Sequence, residues 1–359
     1  MTERTINLTR GVPPPEVFPT EDLIRCAEAA LREDGKVLLQ YGRSPGYAPL
    51  REWVGKQYGA GPEQVLIGNG SLEIFGFIAQ RLLRPGARAF VEQPSYDRAI
   101  TLLRRAGAEV VGIPVEADGV DLAALEAELQ RSAPTLLYVI ADFQNPLGIT
   151  TSLAKRRRLV ELAERHGFWL LEDGPYRALR YWGEEVPTLR SLNPQRVLHL
   201  ASFSKTLAPG LRLGYVVGPA DMIAELAAWA VNTYIGPVYP TQGLVNAYCR
   251  QGLLEPNIER LKAVYRPRLE ATLAALDRYL PDGTWSRPEG GFFVAGFLPE
   301  RFAPMPELVS QAAAAGLTLT DGRDFFPDPA DGVRFLRIPF CSLTPEEIET
   351  AIARLASLA

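Results

Sequence analysis

The chain has 359 residues, of which 47% are hydrophobic and 22% are charged, and its formal net charge is −4. A chain of this length accommodates about two domains with a sizeable core, and its slightly acidic balance argues against a nucleic-acid partner, which usually requires a basic face. No apolar run reaches the roughly 18 residues that a membrane helix needs, and the N-terminal stretch MTERTINLTR lacks the apolar core of a signal peptide.

Strand and helix patterns alternate from about residue 68 to residue 218. The segments QVLIG, RAFVEQP, EVVGIPV, TLLYVIADF and FWLLEDG are typical of strands, and the segments between them have apolar residues at helical spacing. TLLYVIADF is a continuous apolar run of the kind that buried parallel strands show. This alternation predicts an α/β fold in which helices cover both faces of a mainly parallel sheet.

The two ends of the chain follow a different pattern. TEDLIRCAEAALRE, near the N-terminus, is typical of a helix without a neighbouring strand, and IERLKAVYRPRLEATLAALDRYL is typical of a long helix. Two short strands, GGFFVAGF and VRFLRIPF, and a closing helix follow. We therefore predict a large domain over residues 41–245 and a smaller α+β domain over residues 246–359, with residues 1–40 packing against the small domain.

Residue types that often mark function are interpreted as structural in three places. The basic run KRRR, residues 155–158, lies in a helical pattern and predicts a solvated helix face. His166 precedes a glycine at a predicted helix end, and His199 lies in an apolar strand. The cysteines are odd in number and far apart, which indicates a reducing compartment and neither a disulfide framework nor a zinc site. They are Cys26, Cys249 and Cys341. We expect a cytoplasmic protein with no metal site, membrane partner or nucleic-acid partner.

Polar residues gather at the ends of predicted strands, which is where open α/β sheets bind ligands. GNGSLE places Ser71 at a helix start that can bind an anion, although an ordinary helix cap explains it equally. DFQNPLG places Asn145 in a turn, and LLEDGPY places Asp173 and Tyr176 after an apolar strand. Each of these groups is explained by a turn alone or by a ligand site.

Lys205 lies in ASFSKTLAPGLRLGY, the connection between two strand-like segments. A desolvated lysine near other cations has a lowered pKa and becomes a nucleophile toward carbonyl groups. Ser202, Ser204 and Arg212 are suited to holding a phosphate nearby. Pyridoxal 5′-phosphate needs an amine for its aldehyde, donors for its phosphate and a carboxylate for its ring nitrogen. The combination predicts a site for this cofactor.

At this point the sequence resembles the fold-type I pyridoxal-phosphate enzymes of the class I/II aminotransferase family, in the branch that contains 2-aminoadipate and kynurenine aminotransferases. The resemblance covers nearly the whole chain. It rests on GVPPPEVFP, LQYGRSPGYAPLREWV, GNGSLE, EQPSYDRA, QNPLG, EDGPY, SFSKTLAPGLRLGY and LRIPF, which occur in the family's order. The resemblance implies that the large domain binds the cofactor and that the protein is a homodimer with shared active sites.

The resemblance also implies a role for each matched residue. Lys205 would form the Schiff base, Asp173 would pair with the ring nitrogen, and Arg337 would bind the α-carboxylate of the substrate. The remaining implied cofactor ligands are Ser71, Leu72, Ser202, Ser204 and Arg212 at the phosphate, Tyr96 against the ring, Asn145 and Tyr176 at the phenolic oxygen, and Tyr41 from the partner subunit. Leu72 stands where the family has a glutamine, so only its backbone N–H is left to donate. Leu147 stands where the family has a threonine.

The implied activity is transamination between an L-α-amino acid and a 2-oxo acid, with 2-oxoglutarate and glutamate as one pair and ping-pong kinetics through a Lys205 aldimine. β-Elimination, decarboxylation or racemisation on the same scaffold is the alternative, and a non-catalytic binding or regulatory relative is another. The intact Lys205, Asp173 and Arg337 argue against the non-catalytic relative.

The sequence does not identify the amino donor. By resemblance, Arg10 in TRGVPPPEVFP and Arg323 in DGRDFF are candidates for reading the substrate side chain. The alternative is that each arginine pairs with a nearby acid, Arg323 with Asp321 or Asp324, and does not meet substrate.

Overall fold

The computed structural model describes residues 5–359. The strands are β1 (Ile6–Leu8), β2 (Val65–Gly68), β3 (Arg88–Gln93), β4 (Glu109–Glu116), β5 (Gly119–Val120), β6 (Leu136–Val139), β7 (Trp169–Asp173), β8 (Val197–Ser202), β9 (Gly214–Val217), β10 (Thr284–Trp285), β11 (Phe293–Phe297), β12 (Leu317–Leu319) and β13 (Phe335–Pro339). The helices are α1 (Thr20–Leu38), α2 (Ala48–Gln57), α3 (Ser71–Leu82), α4 (Asp97–Arg105), α5 (Leu122–Arg131), α6 (Leu153–His166), α7 (Leu189–Leu192), α8 (Ala220–Tyr234), α9 (Tyr239–Arg250), α10 (Leu254–Tyr279), α11 (Met305–Ala314) and α12 (Pro345–Ala356).

Several helices begin and end at residues whose chemistry fixes the boundary. The Asp121 carboxylate accepts hydrogen bonds from the backbone of Ala123 and Ala124 at the start of α5. Thr344 forms a capping box at the start of α12. Helix α6 ends at His166 because Gly167 adopts a left-handed conformation with φ 75°.

The large sheet has eight strands in the order β2-β9-β8-β7-β6-β3-β4-β5. Its central pairs, from β8 through β7, β6 and β3 to β4, are all parallel. Strand β9 runs antiparallel to both β8 and β2. Parallel neighbours require a long crossover, and the connection that carries Lys205 between β8 and β9 contains no such crossover helix. The prediction of a mainly parallel α/β sheet is confirmed.

Both faces of this sheet are covered, and β6 shows how. Leu136 and Tyr138 belong to one buried apolar cluster, whereas Leu137 and Val139 belong to another that includes residues of α5 and α6. Successive side chains of a strand point to opposite faces. A strand between two apolar layers must therefore be apolar at every position, which explains the continuous run TLLYVIADF.

The remaining strands form small sheets. Strands β10, β11 and β13 form an antiparallel sheet, and β1 pairs in parallel with β12. Helices α10 and α12 pack together, and α1 packs against α9. The division into residues 1–40, 41–245 and 246–359 stays a prediction.

The prediction of a solvated helix face for KRRR is wrong for its first two residues. Arg156 is 0% exposed, and its guanidinium contacts Asp142 at 2.8 Å and donates to the Ala141 carbonyl at 2.7 Å. Lys155 is also buried. Lys155 pairs with Asp118, 2.8 Å from its Nζ, whereas Arg156 is buried because Asp142, a buried carboxylate just after β6, needs cationic partners. Arg177 and Arg180 also contact it, at 3.0 and 3.5 Å.

The cysteines and histidines lie where a structural role suffices. All three cysteines are buried and unpaired. The imidazole of His199 on β8 contacts the Glu172 carboxylate at 2.8 Å. Across residues 5–359, no helix combines the length and the apolar character that crossing a bilayer requires. The same residues contain no cluster of three or more His, Cys, Asp or Glu side chains placed to hold a metal ion.

Candidate active site

A cavity of about 250 Å³, the cofactor cavity, lies at the carboxyl ends of β6, β7 and β8. The strand ends bring together side chains that are far apart in sequence. The cavity is lined by all the residues predicted to hold the cofactor except Tyr41, namely Ser71, Leu72, Tyr96, Asn145, Asp173, Tyr176, Ser202, Ser204, Lys205 and Arg212.

An adjoining cavity of about 370 Å³, the substrate cavity, shares Lys205 and Tyr176 with the cofactor cavity. Arg10 and Arg337 also line it. A larger cavity of about 770 Å³ lies elsewhere, between residues 147–152 and 284–289. It contains no predicted site residue, whereas the two smaller cavities hold buried titratable groups with shifted pKa values, which is typical of active sites.

Lys205 lies between the two cavities, in the connection that follows β8. Its Nζ donates to the Gly11 carbonyl at 2.9 Å and lies 5.6 Å from the ring centre of Phe292. Burial lowers the pKa of Lys205, and the positive charges of Arg337 and Arg212 act in the same direction. A lowered pKa makes the neutral, nucleophilic amine more available.

Asp173 is the last residue of β7 and one of its carboxylate oxygens is unpaired. Oδ2 accepts a hydrogen bond from the Tyr138 hydroxyl at 2.8 Å, and buried Oδ1 has no partner within residues 5–359. Burial raises the pKa of Asp173 to about 6, against the opposing effects of the Tyr138 hydrogen bond and the Lys205 charge. An unpaired buried acceptor is costly, and the protonated ring nitrogen of pyridoxal phosphate would satisfy it.

The other end of the cofactor cavity fits a phosphate. Ser71 begins α3, whose exposed N–H groups favour an anion. Gly70 precedes it with φ 103°, and a Cβ at Gly70 would lie 2.3 Å from Arg212 Nη2. A Cβ at Gly214 would lie 2.3 Å from the Ser71 backbone nitrogen. These glycines leave room for Arg212 and the helix start to approach one ligand, so the residues present fit pyridoxal phosphate at both its ring nitrogen and its phosphate.

Arg337, on β13, is held in the substrate cavity by neutral groups. Nη1 donates to Asn145 Oδ1 at 2.9 Å and Nη2 donates to the Thr9 carbonyl at 2.6 Å. The guanidinium carbon lies 4.5 Å from the ring centre of Phe293 and 4.6 Å from that of Phe325. Burial lowers the pKa of Arg337. No carboxylate of the described part of the chain pairs with this buried guanidinium, so it is suited to bind an anionic ligand.

The remaining predicted site residues lie elsewhere. Tyr41 is 81% exposed and lines neither cavity. Arg323 also lies outside both linings, and its Nη2 and Nε donate to the Asp321 carboxylate at 2.7 and 3.1 Å. This ion pair corresponds to the alternative that the sequence left open for Arg323.

Sequence reasoning missed two residues that matter at these cavities. Tyr138 lay in an apolar run, where a tyrosine is interpreted as core, and its ring does stack on Phe75 with centres 5.1 Å apart. The available signal was that a buried tyrosine hydroxyl needs a partner. Arg98 lines both cavities. The helical sequence pattern gave no signal for this position, because it does not distinguish an arginine that faces a cavity from one that faces solvent.

Glu92, on β3, is a buried acid that has no cationic partner among residues 5–359. Its Oε2 accepts from the Ile140 backbone at 3.0 Å, Oε1 has no partner within residues 5–359, and burial raises its pKa to about 8. An unfolded glutamate ionises near pH 4.3, so stability should fall as the pH rises from about 4 to about 8. Glu92→Gln removes that loss.

We therefore expect the free energy of unfolding of Glu92→Gln to exceed that of wild type by an amount that grows between pH 5 and pH 8. The difference should reach a few kcal/mol, since each unit of pKa shift corresponds to about 1.4 kcal/mol. Urea denaturation at the two pH values measures it, with Glu52→Gln as the matched control because Glu52 is exposed. The same pH dependence in both variants would contradict the assignment.

Known proteins resemble this chain in both sequence and structure. The family model for aminotransferase class I and II matches residues 3–355. The 2-aminoadipate transaminase of Thermus thermophilus is 35% identical over 98% of this chain and 89% of its own length. Aromatic-amino-acid aminotransferase 1 of Thermococcus litoralis is 33% identical over 99% of this chain and 88% of its own. The crystal structure of α-aminoadipate aminotransferase from Thermus thermophilus, complexed with N-(5′-phosphopyridoxyl)-L-leucine, has a TM-score of 0.92 at 34% identity and covers 99% of this chain and 92% of that chain.

Proposed function

The chain belongs to the aminotransferase class I and II family, and from that premise we propose that it transfers the amino group between an L-α-amino acid and 2-oxoglutarate. It is an aminotransferase that uses pyridoxal 5′-phosphate. One observation carries the proposal. Lys205, with its lowered pKa, and Asp173, with an unpaired carboxylate oxygen, line one cavity that adjoins the cavity of Arg337.

When bound, pyridoxal phosphate supplies an aldehyde that captures the amino group and a protonated ring that withdraws electrons from the α-carbon. Asp173 Oδ1 would hold the proton of the ring nitrogen. Ser71, Ser202 and Arg212 would hold the phosphate, and Tyr96 would lie against the ring. Tyr138 fixes the Asp173 carboxylate through Oδ2, so that Oδ1 is the oxygen left for the ring.

Lys205 would bind the cofactor and then move the proton. Its lowered pKa makes the neutral amine more available, and the neutral amine can take the proton of the α-carbon and return it at a neighbouring carbon. Arg337 would hold the α-carboxylate through two parallel hydrogen bonds, and this contact fixes the orientation of the α-carbon. The donor loses its amino group in the first half-reaction and 2-oxoglutarate gains it in the second.

The proposal is tested by mixing the purified, cofactor-loaded protein with single amino acids and recording the absorbance of the cofactor. We expect glutamate alone to change the spectrum and 2-oxoglutarate alone to restore it. A spectrum that changes with an amino acid but is restored by no 2-oxo acid, with release of ammonia or carbon dioxide, would favour elimination or decarboxylation. Racemisation would appear as inversion of the amino acid without a 2-oxo acid.

The relatives support a broad choice of the second amino acid. One is named for 2-aminoadipate, one for aromatic amino acids, and one is complexed with a leucine adduct of the cofactor. A site that accepts both acidic and apolar side chains needs a cation that can contact an acidic side chain. The same cation must stay in water when an apolar side chain is bound. Of the two arginines predicted for this role, Arg10 lines the substrate cavity and is exposed, so it remains one candidate, whereas Arg323 is held by Asp321.

We also propose a homodimer with shared sites. Tyr41 is exposed beside other exposed apolar side chains, among them Leu39 at 74% and Ile235 and Val238 at 55% each. The loop of Tyr41 meets that of Ile235, since the Gly236 Cβ position lies 2.5 Å from the Gly42 carbonyl. An exposed apolar patch of this kind is typical of a protein interface. Tyr41 would reach the cofactor phosphate of the partner subunit.

Mixing two inactive or impaired variants tests the sharing of sites. In a heterodimer of Tyr41→Phe and Lys205→Ala chains, one site would combine an intact Lys205 with an intact Tyr41 from the partner. We expect the mixture, after dissociation and reassociation, to be more active than the sum of its parents. Activity equal to that sum, or sedimentation of an active monomer at assay concentration, would refute shared sites.

A further inference from the structure

Arg98 is a cation at the active site to which the proposed mechanism gives no role. It is the second residue of α4, it is exposed, and it lines both the cofactor cavity and the substrate cavity. Its positive charge opposes the effect of burial, which raises the pKa of Tyr96 to about 12. The charge of Arg98 therefore acts within the site.

No protein group occupies the guanidinium of Arg98 in the part of the chain that the structure describes. Asp97 is its sequence neighbour, and adjacent helix residues do not face each other. Arg104, on the same helix, donates to the Pro327 carbonyl, and Arg323 is held by Asp321. Arg98 thus keeps its planar set of N–H donors for a ligand.

The charges that line the substrate cavity favour an anion with more than one carboxylate. The cations are Arg10, Arg98, Lys205 and Arg337, and the acid is Asp97. The mechanism uses Lys205 for proton transfer and Arg337 for the α-carboxylate. Two cations, Arg10 and Arg98, remain for a second carboxylate.

Arg98 is placed more firmly than Arg10. It extends from a helix that begins two residues after Ser95, whose backbone N–H donates to the Phe325 carbonyl at 2.8 Å. Arg10 belongs to an irregular segment outside any helix or strand. Side chains on helices hold a binding geometry more precisely than side chains on irregular segments. Arg98 also adjoins Tyr96, the residue against which the cofactor ring would lie.

We propose that Arg98 binds the side-chain carboxylate of a dicarboxylic amino acid or 2-oxo acid whose α-carboxylate is held at Arg337. This assignment rests on the proposed function and names its substrate class. Two cations at separate positions on one cavity select a ligand by the separation of its carboxylates. Because Arg98 is exposed, an apolar side chain such as that of leucine leaves the guanidinium in water and buries no unpaired charge.

Equilibrium binding of unreactive ligands to the cofactor-loaded protein tests the assignment. Glutarate carries two carboxylates and pentanoate carries one on a chain of the same length. A charge-assisted contact on an exposed arginine corresponds to about tenfold in affinity. We expect Arg98→Gln to weaken glutarate binding about tenfold and to leave pentanoate binding within about twofold. Arg98→Lys should retain part of the preference. Arg105→Gln on the same helix is the matched control, since Arg105 is exposed and lines neither cavity.

Three results would overturn the assignment. If Arg98→Gln weakens the binding of glutarate and pentanoate equally, or leaves both unchanged, Arg98 does not bind the side-chain carboxylate. If Arg10→Gln selectively weakens glutarate binding and Arg98→Gln does not, Arg10 and not Arg98 binds the side-chain carboxylate. Weaker binding of pyridoxal phosphate with an unchanged ligand preference would make Arg98 a cofactor ligand.

The proposed function is judged separately, from the spectral half-reaction with leucine. If leucine still converts the cofactor while Arg98→Gln leaves glutarate preference intact, only the Arg98 assignment fails. If no amino acid converts the cofactor, the proposed function fails, and selective loss of glutarate binding would still support Arg98 as a carboxylate site.

Discussion

Replacing Lys205 with alanine should reduce turnover about a thousandfold or more while the protein still binds pyridoxal phosphate. The loss is large because one side chain would both bind the cofactor covalently and move the α-proton, and a positioned general base alone contributes about 10²–10⁴ in rate. Cofactor binding should persist because Ser71, Ser202 and Arg212 line the same cavity independently of Lys205.

Single-turnover rates and cofactor retention after dialysis measure the two halves of this prediction. Lys36→Ala is the matched control, because Lys36 is exposed on α1 and lines neither cavity. A Lys205→Ala protein that turns over within tenfold of wild type would show that another group moves the proton. Loss of the folded state in this variant would be detected by its unfolding transition, separately from loss of chemistry.

Asp173→Asn should slow removal of the α-proton about 100- to 1,000-fold, while cofactor binding weakens by a much smaller factor. The amide keeps the shape of the carboxylate and can still accept from Tyr138, but it removes the charge that would hold the ring nitrogen protonated. The magnitude is that of deleting one preorganised electrostatic group from an active site.

The measurement is the single-turnover rate with an α-deuterated amino acid. We expect a full isotope effect in Asp173→Asn, because proton removal becomes the slow step. Tyr138→Phe is the companion variant, since it keeps the charge and removes only the hydrogen bond at Oδ2, and it should show a smaller loss. A near-normal rate in Asp173→Asn would mean that another group keeps the ring protonated.

The fold could be predicted where it depends on local sequence patterns. The alternation of apolar runs with segments of helical spacing was enough to predict a mainly parallel sheet covered on both faces. The direction of β9 could not be predicted, because a short apolar strand has the same pattern in either direction. Arg156 was misplaced for a related reason. Its burial depends on Asp142, which lies just after β6 and which the fold brings next to α6.

The candidate site was predictable as far as it lay at strand ends. Ser71, Asn145, Asp173 and Lys205 come together because the carboxyl ends of parallel strands meet at one edge of the sheet. Arg98 was not predictable, since a helical pattern does not show which exposed side chain faces a cavity. The partner of Arg323 was left open because two acids lie within two residues of it, and only geometry distinguishes Asp321 from Asp324.

The most direct test of the account is to identify the residue that bonds to the cofactor. Reduction of the cofactor-loaded protein with borohydride, followed by digestion and mass spectrometry, fixes the cofactor to the amine that holds it. We expect the added mass on the peptide that contains Lys205, and no label in Lys205→Ala. Label on another residue such as Lys155, or no labelled peptide in the wild-type protein, would contradict the assignment of Lys205.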